Sequence, residues 1–296
     1  MADFIASGRA VGLGFALSLF ASFGMVRAAP LHIVAAEAVY GDIAAQVGGD
    51  AVSVTSILSN PAQDPHLFEA GASAARAIAD AQLVIHNGAG YDPWMNKLLS
   101  AIGNRDRAIL VVADLAHAAP GANPHLWYDL DAVTALAEAI ADRLPAPDKA
   151  DKMKSLDRLV AFEASMLKLA ERVAALKGKY AGVPVAATEP VFDYMARNIG
   201  LEMRNPAFQR AVMNDTEPSA RDVAAFEDDL RQHRVRVLLY NLQATGTVPD
   251  RMRRIAEESH IPVVGVSEVE PPGMRYQDWM SMQLDALEKA LSETQK

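Results

Sequence analysis

None of the 296 residues is a cysteine. That excludes disulfides, thiolate nucleophiles, iron–sulfur clusters and any zinc site built on sulfur. It also excludes a lipid-modified N-terminal cysteine. A metal ion, if one is bound, has to be held by His, Asp, Glu or neutral oxygen donors. Positive charge is also scarce, with 28 Lys and Arg against 37 Asp and Glu and a formal net charge of −9. Such a chain suits neither nucleic acid nor an anionic membrane surface, both of which demand clustered basic residues. Several catalytic signatures are missing beyond the N-terminal segment. There is no G-x-G-x-x-G after a strand, no G-x-x-x-x-G-K-[ST], no G-x-S-x-G and no H-E-x-x-H.

Only the first 28 residues carry a long uncharged apolar stretch, running from Arg9 to Arg27 and followed by the small residues Ala28 and Ala29. A short apolar core ahead of small residues is the pattern of a cleavable export signal, and glycines at 12, 14 and 24 weaken a membrane-spanning reading. The expectation is a signal peptide over 1–28 and a periplasmic mature chain. Loss of Arg9, Arg27 and Asp3 takes its charge to about −10.

From Leu31 the pattern alternates. "LHIVAAE", "VSVTSIL" and "QLVIHNG" read as strands and "AVYGDIAAQVGG" and "SAARAIADA" as helices. A second series follows Gly182, with strands in "VPVAATE", "VRVLLYN" and "IPVVGV". Strand–helix alternation predicts parallel sheets. The two series also resemble each other. "EAVYGDIAAQVG" from Glu37 matches "EPVFDYMARNIG" from Glu189, and the segments ending at Asn87 and Asn241 match at nearly the same offset. The expected architecture is therefore α/β, with two related Rossmann-like lobes over 29–146 and 181–296. Residues 147–180 between them predict one long rigid helix, with Pro147 in its first turn and Gly178 at its stop. Apolar residues at 153, 156, 160, 166, 167, 170, 173 and 176 would form its packing face.

His66 lies behind Asp64-Pro65 at the end of a strand, where open α/β sheets bind their ligands. His125 repeats the arrangement in "NPHLWYDL", and Glu189 ends an apolar strand and opens a helix. Taken singly, each could be an ordinary structural residue. Glu37, the counterpart of Glu189, is read as a carboxylate favoured by a helix N-terminus. His32, His86, His233 and His260 are read as structural, and Trp94, Trp127 and Trp279 as packing residues.

Together, "GDAVSVTSIL", "QDPHLFE", "ADAQLVIHNGAGYDPWMNKLL", "NPHLWYDL" and "TEPVFDYMARNIGL" make the chain resemble the solute-binding proteins of zinc and manganese ABC transporters. The resemblance runs from about Leu31 to the C-terminus. It implies a divalent transition metal, Zn2+ or Mn2+, as transported ligand, an ABC transporter permease as partner, a monomer, and no chemical step. By motif, His66 and His125 are the first-lobe ligands and Glu189 a second-lobe ligand. The family's fourth ligand is an aspartate ahead of the last helix. Here Met274 falls in that slot, so Asp278 becomes the fourth candidate, with Glu270 nearby and another carboxylate, a water or no ligand left open. The segment before His125 offers only His117, too little for a metal-collecting loop. Asn87, Asn241 and Asp129 are candidate supports for the ligands. A His-His-Glu site with an open position is also a catalytic zinc pattern, so a metal-dependent hydrolase is the alternative.

Overall fold

The computed structural model describes residues 29–103, 106–243 and 246–293. The expected signal peptide lies outside them. The first lobe runs β1 (Leu31–Glu37), α1 (Ala38–Gly48), β2 (Val52–Leu58), α2 (Ala72–Asp80), β3 (Leu83–His86), α3 (Pro93–Ile102), β4 (Ala108–Val111), α4 (Val112–Leu115) and α5 (Leu130–Ala141). Then comes α6 (Lys149–Tyr180). The second lobe runs β5 (Pro184–Ala187), α7 (Asp193–Ile199), β6 (Glu202–Arg204), α8 (Pro206–Met213), α9 (Ala220–Arg231), β7 (Leu238–Asn241), α10 (Thr247–Glu258), β8 (Val263–Val266) and α11 (Tyr276–Glu293).

Each lobe is built on a four-stranded sheet, in the orders β2-β1-β3-β4 and β6-β5-β7-β8, and every pairing is parallel. The topologies are identical, as the internal repeat predicts. Central strands are continuous apolar runs because helices cover both faces. The sequence reading passed over β4 and β6. Both are edge strands of three or four residues, half-exposed, and β6 reads Glu-Met-Arg. β4 is apolar, Ala-Ile-Leu-Val, but only four residues long, and β6 offers no apolar run at all.

The 32 residues of α6 make a helix about 48 Å long at 1.5 Å per residue. Asp148, not Pro147, stands at its start, the side chain accepting from the Asp151 amide at 2.9 Å. At the other end the helix passes through Gly178 and stops after Tyr180, where Gly182 takes φ +80°. The packing face is also narrower than the apolar pattern predicts. Phe162, Met166, Leu169, Val173, Leu176 and Tyr180, at alternating spacings of four and three, are buried, whereas Met153, Leu156, Val160 and Leu167 are exposed. The expected set straddled two faces.

A single large core takes in α1, α5, the buried face of α6, α7 and α11, so the lobes share their interior. Smaller clusters lie on the outer face of each sheet. Hydrogen bonds tie the lobes further. Tyr128 donates to the Ser267 carbonyl at 2.7 Å, Tyr276 to the Trp127 carbonyl at 2.8 Å and Tyr194 to the Asn123 carbonyl at 2.7 Å. Trp127 and Trp279 are fully buried and Trp94 nearly so, all as packing residues.

Truncating the buried side of α6 should therefore be felt by both lobes. Leu176→Ala is expected to cost about 2–5 kcal/mol, and Leu167→Ala, on the exposed side, less than about 0.5 kcal/mol. Urea midpoints of the two variants against the parent chain check the contrast.

Candidate metal centre

Four side chains meet between the carboxyl ends of the two sheets: His66, His125, Glu189 and Glu268. One ligand atom from each lies within 4.8 Å of all the others. His66 comes from the loop after β2. Asp64 caps the short turn Pro65–Leu67 by accepting from the His66 amide at 2.9 Å, which fixes where that backbone turns. His125 opens the turn Leu126–Tyr128 and is fully buried. Glu189 follows β5 and Glu268 follows β8, and each is 2% exposed.

The ring of His125 presents Nδ1 to Asn123 Oδ1 at 2.6 Å. An amide oxygen only accepts, so Nδ1 carries the proton and Nε2 faces the centre as a lone-pair donor. Nε2 of both histidines and Oε1 of Glu189 are buried without a hydrogen-bond partner. His66 Nε2 lies 3.2 Å from Glu189 Oε1 and 3.7 Å from Glu268 Oε2, and His125 Nε2 lies 3.4 Å from Glu268 Oε2. Bonds of about 2.0–2.2 Å in a tetrahedron put neighbouring ligand atoms about 3.3–3.6 Å apart. The three contacts lie near that spacing, and the four atoms together stay within 4.8 Å of one another.

The carboxylates are aimed by a third residue. Asn241, at the end of β7, donates its amide to Glu189 Oε2 and to Glu268 Oε1, both at 2.6 Å. That leaves Glu189 Oε1 and Glu268 Oε2 turned inward. Tyr91 donates to Glu268 Oε2 at 3.0 Å, and the Glu268 amide donates to Gln243 Oε1 at 2.9 Å. Asn87, the counterpart of Asn241, donates to the Pro124 carbonyl at 2.8 Å and so steadies the approach to His125. Asp129 caps α5 and touches none of the four.

Charge in this cluster is tightly coupled. Burial alone would raise the Glu268 carboxyl. The imidazoles of His125 and His66 facing it, when protonated, and the Asn241 amide outweigh it and hold the group down. Burial likewise works against the His66 cation. The Glu189 carboxylate 3.2 Å away and the charges of Glu268 and Asp64 overcome it and lift the imidazole to about 9.

Asp278, the fourth candidate from the sequence, does not join the cluster. It sits in the first turn of α11 on its exposed side, where that turn has already left the mouth between the sheets. Glu268, which the sequence reading did not single out, takes the position. It stands two residues past a strand end, the place the fold reserves for ligands. Glu270 is buried but faces away, into a separate cavity of about 410 Å³ that it shares with Asp42. Burial first and the Asp42 charge second raise its carboxyl to about 9. Met274 is half-buried against the main core. The other five histidines are absent from any metal-sized group among the described residues. His86 is spent on Asp92 at 3.1 Å, and His117, His233 and His260 occupy left-handed positions.

The profile of ZnuA, the periplasmic component A of zinc-uptake complexes, matches residues 33–290. The chain belongs to this family. Among its relatives are a putative metal-binding protein of Treponema pallidum, 23% identical over 85% of this chain and 84% of its own, and the manganese ABC transporter substrate-binding lipoprotein PsaA of Streptococcus mitis, 24% identical over 89% and 90%. The fold matches the periplasmic zinc-binding protein TroA of Treponema pallidum with a TM-score of 0.73 at 17% identity, covering 89% of this chain and 99% of that one. Among the described residues no helix is long and apolar enough to cross a membrane.

Asn241→Ala removes the one amide that serves both carboxylates. Without metal, it is expected to destabilise the chain by about 1–3 kcal/mol for each orphaned oxygen, and urea unfolding in chelator measures the loss.

Proposed function

We propose that the chain captures a divalent transition metal, zinc or manganese, in the periplasm and delivers it to an ABC transporter permease. The observation that carries this reading is the cluster itself: two imidazoles and two carboxylates, all but His66 buried, with three of the four ligand atoms unpartnered and all four within 4.8 Å of one another. His66, His125, Glu189 and Glu268 are the ligands in this proposal, and Asn241, Asn123 and Tyr91 hold them. Two neutral imidazoles and two carboxylates cancel the charge of one divalent ion, which suits a buried cage. The working units are a lobe over 29–146, the linking helix over 147–180 and a lobe over 181–296, acting as a monomer. The relatives named for manganese and zinc share this architecture. The donor set has nitrogen and oxygen only, so it accepts either ion, with zinc favoured wherever both are equally available.

The alternative, a metal-dependent hydrolase, needs an open coordination position. Glu268 stands where that opening would be. Binding without turnover is the reading the geometry favours.

Thermal unfolding of the metal-stripped chain tests the proposal. Zn2+ or Mn2+ at about a thousandfold excess over Kd should stabilise the parent by about 4 kcal/mol. His66→Ala and Glu268→Gln should lose most of that gain, whereas Asp278→Asn should keep it. Equal loss in Asp278→Asn would return the fourth ligand to α11, and no gain in the parent would sink the receptor reading.

Proton release gives a second check. In the metal-free state the His66 pKa, about 9, exceeds the unfolded value near 6.5. Its charged form therefore adds stability that is complete below about pH 6.5 and fades as the pH rises through about 9. A metal needs the neutral ring, so it must displace this proton at pH 7. Calorimetric titration at pH 7 in buffers of different ionisation enthalpy should show about one proton released per ion from His66. Affinity should then rise about tenfold per pH unit up to about pH 8.5.

A further inference from the structure

The loop that carries His66 is thinly attached. From Asn60 to Glu69 most of its hydrogen bonds close on the loop itself. The Ala62 amide donates to Asn60 Oδ1 at 3.0 Å, the Gln63 amide to the Asn60 carbonyl at 3.0 Å and the His66 amide to Asp64 Oδ1 at 2.9 Å. Phe68 seats the far end against Trp94, with ring centroids 4.8 Å apart. Among the described residues a single hydrogen bond reaches the loop from outside. Gln243, two residues past β7 in the other lobe, donates Nε2 to the Pro61 carbonyl at 2.9 Å.

Gln243 is 7% exposed, and its side-chain amide is used at both ends. Oε1 accepts from the Glu268 amide at 2.9 Å, while the Gln243 backbone amide donates to Asn241 Oδ1 at 3.0 Å. Asn241 in turn grips both carboxylates. Two amide side chains therefore run from the second-lobe carboxylates to the first-lobe loop. A primary amide suits that post because it donates and accepts at once. The two imidazoles differ in how they are aimed. His125 has Asn123 on Nδ1, which fixes its ring directly. No hydrogen bond among the described residues holds Nδ1 of His66, so that ring stands where the loop puts it. Groups that orient a metal ligand change affinity when they are removed.

We propose that Gln243 is the positioning residue for His66: its bond to Pro61 sets the imidazole against Glu189 and Glu268 at the distance a shared ion needs. This rests on the receptor reading, and Gln243 itself touches no ion.

Two measurements on the full chain test it. Hydrogen exchange in chelator needs no metal. Gln243→Leu, which keeps the bulk and loses the amide, should speed exchange across 60–69 and leave β1 and β5 at parent rates. Competition for Zn2+ against a chelating dye at pH 7 then compares Gln243→Leu, His66→Ala and the double variant. Losing the tie should weaken binding about three- to tenfold, the worth of one neutral hydrogen bond. In the His66→Ala background the same substitution should cost less than about twofold, because a residue acting through His66 has nothing left to position. Gln243→Asn, too short to bridge Pro61 and Glu268 together, should behave as Gln243→Leu does and serves where the leucine variant folds poorly. Unchanged exchange across 60–69 overturns the proposal. So does a loss of equal size with His66 absent, which would assign the effect to Glu268. A parent that binds Zn2+ no better than Gln243→Leu removes this proposal alone, whereas a parent that binds none removes the receptor reading and this proposal with it.

Discussion

Two carboxylates from one lobe, Glu189 and Glu268, are held side by side with almost no access to water, and a single amide, that of Asn241, bonds to both. Like charges this close repel strongly at the low effective dielectric of an interior. The fold tolerates them because cationic or metal-binding groups of the other lobe face them directly. His66 and His125 supply that complement, and the charges of the pair raise the His66 imidazole in turn. The consequence runs outward through the structure. The lobes must stay in register to keep the complement in place, and the hydrogen bonds of Tyr91, Tyr128, Tyr194 and Tyr276 across the boundary do that.

Much of this was legible in the sequence. The two Pro-His devices each proved to be a strand-end or turn-opening position aimed at one point, and Glu189 met them there. The repeat anticipated two sheets of one topology, and it paired Asn87 with Asn241 at the ends of equivalent strands, although Asn241 bonds the carboxylates directly and Asn87 only the backbone ahead of His125. These features are local: a Pro fixes the backbone, a strand end fixes the direction, and both show in a few residues.

Glu268 was not legible in the same way. Alignment on the last helix led to Met274 and Asp278, but the fourth side chain of the cluster lies earlier, two residues past β8. "SEVEPP" holds two glutamates two residues apart, and no pattern of residues tells which of them turns inward. The tertiary fold decides it. Gln243 accepts from the Glu268 amide, and Asn241 grips its side chain, while Glu270 is left to a different cavity. The short edge strands are harder to read for a related reason: three or four half-exposed residues make too short a signal, apolar in β4 and polar in β6, and their neighbours in the sheet supply the order.

The exposures of the four clustered side chains are unequal: 17% for His66 and 1% or less for the other three. An ion seated among them therefore meets solvent past a single imidazole, carried on the loop after β2 rather than on either sheet. Three walls of the cluster are closed off from water, and the fourth, the His66 ring, is the side on which solvent reaches it.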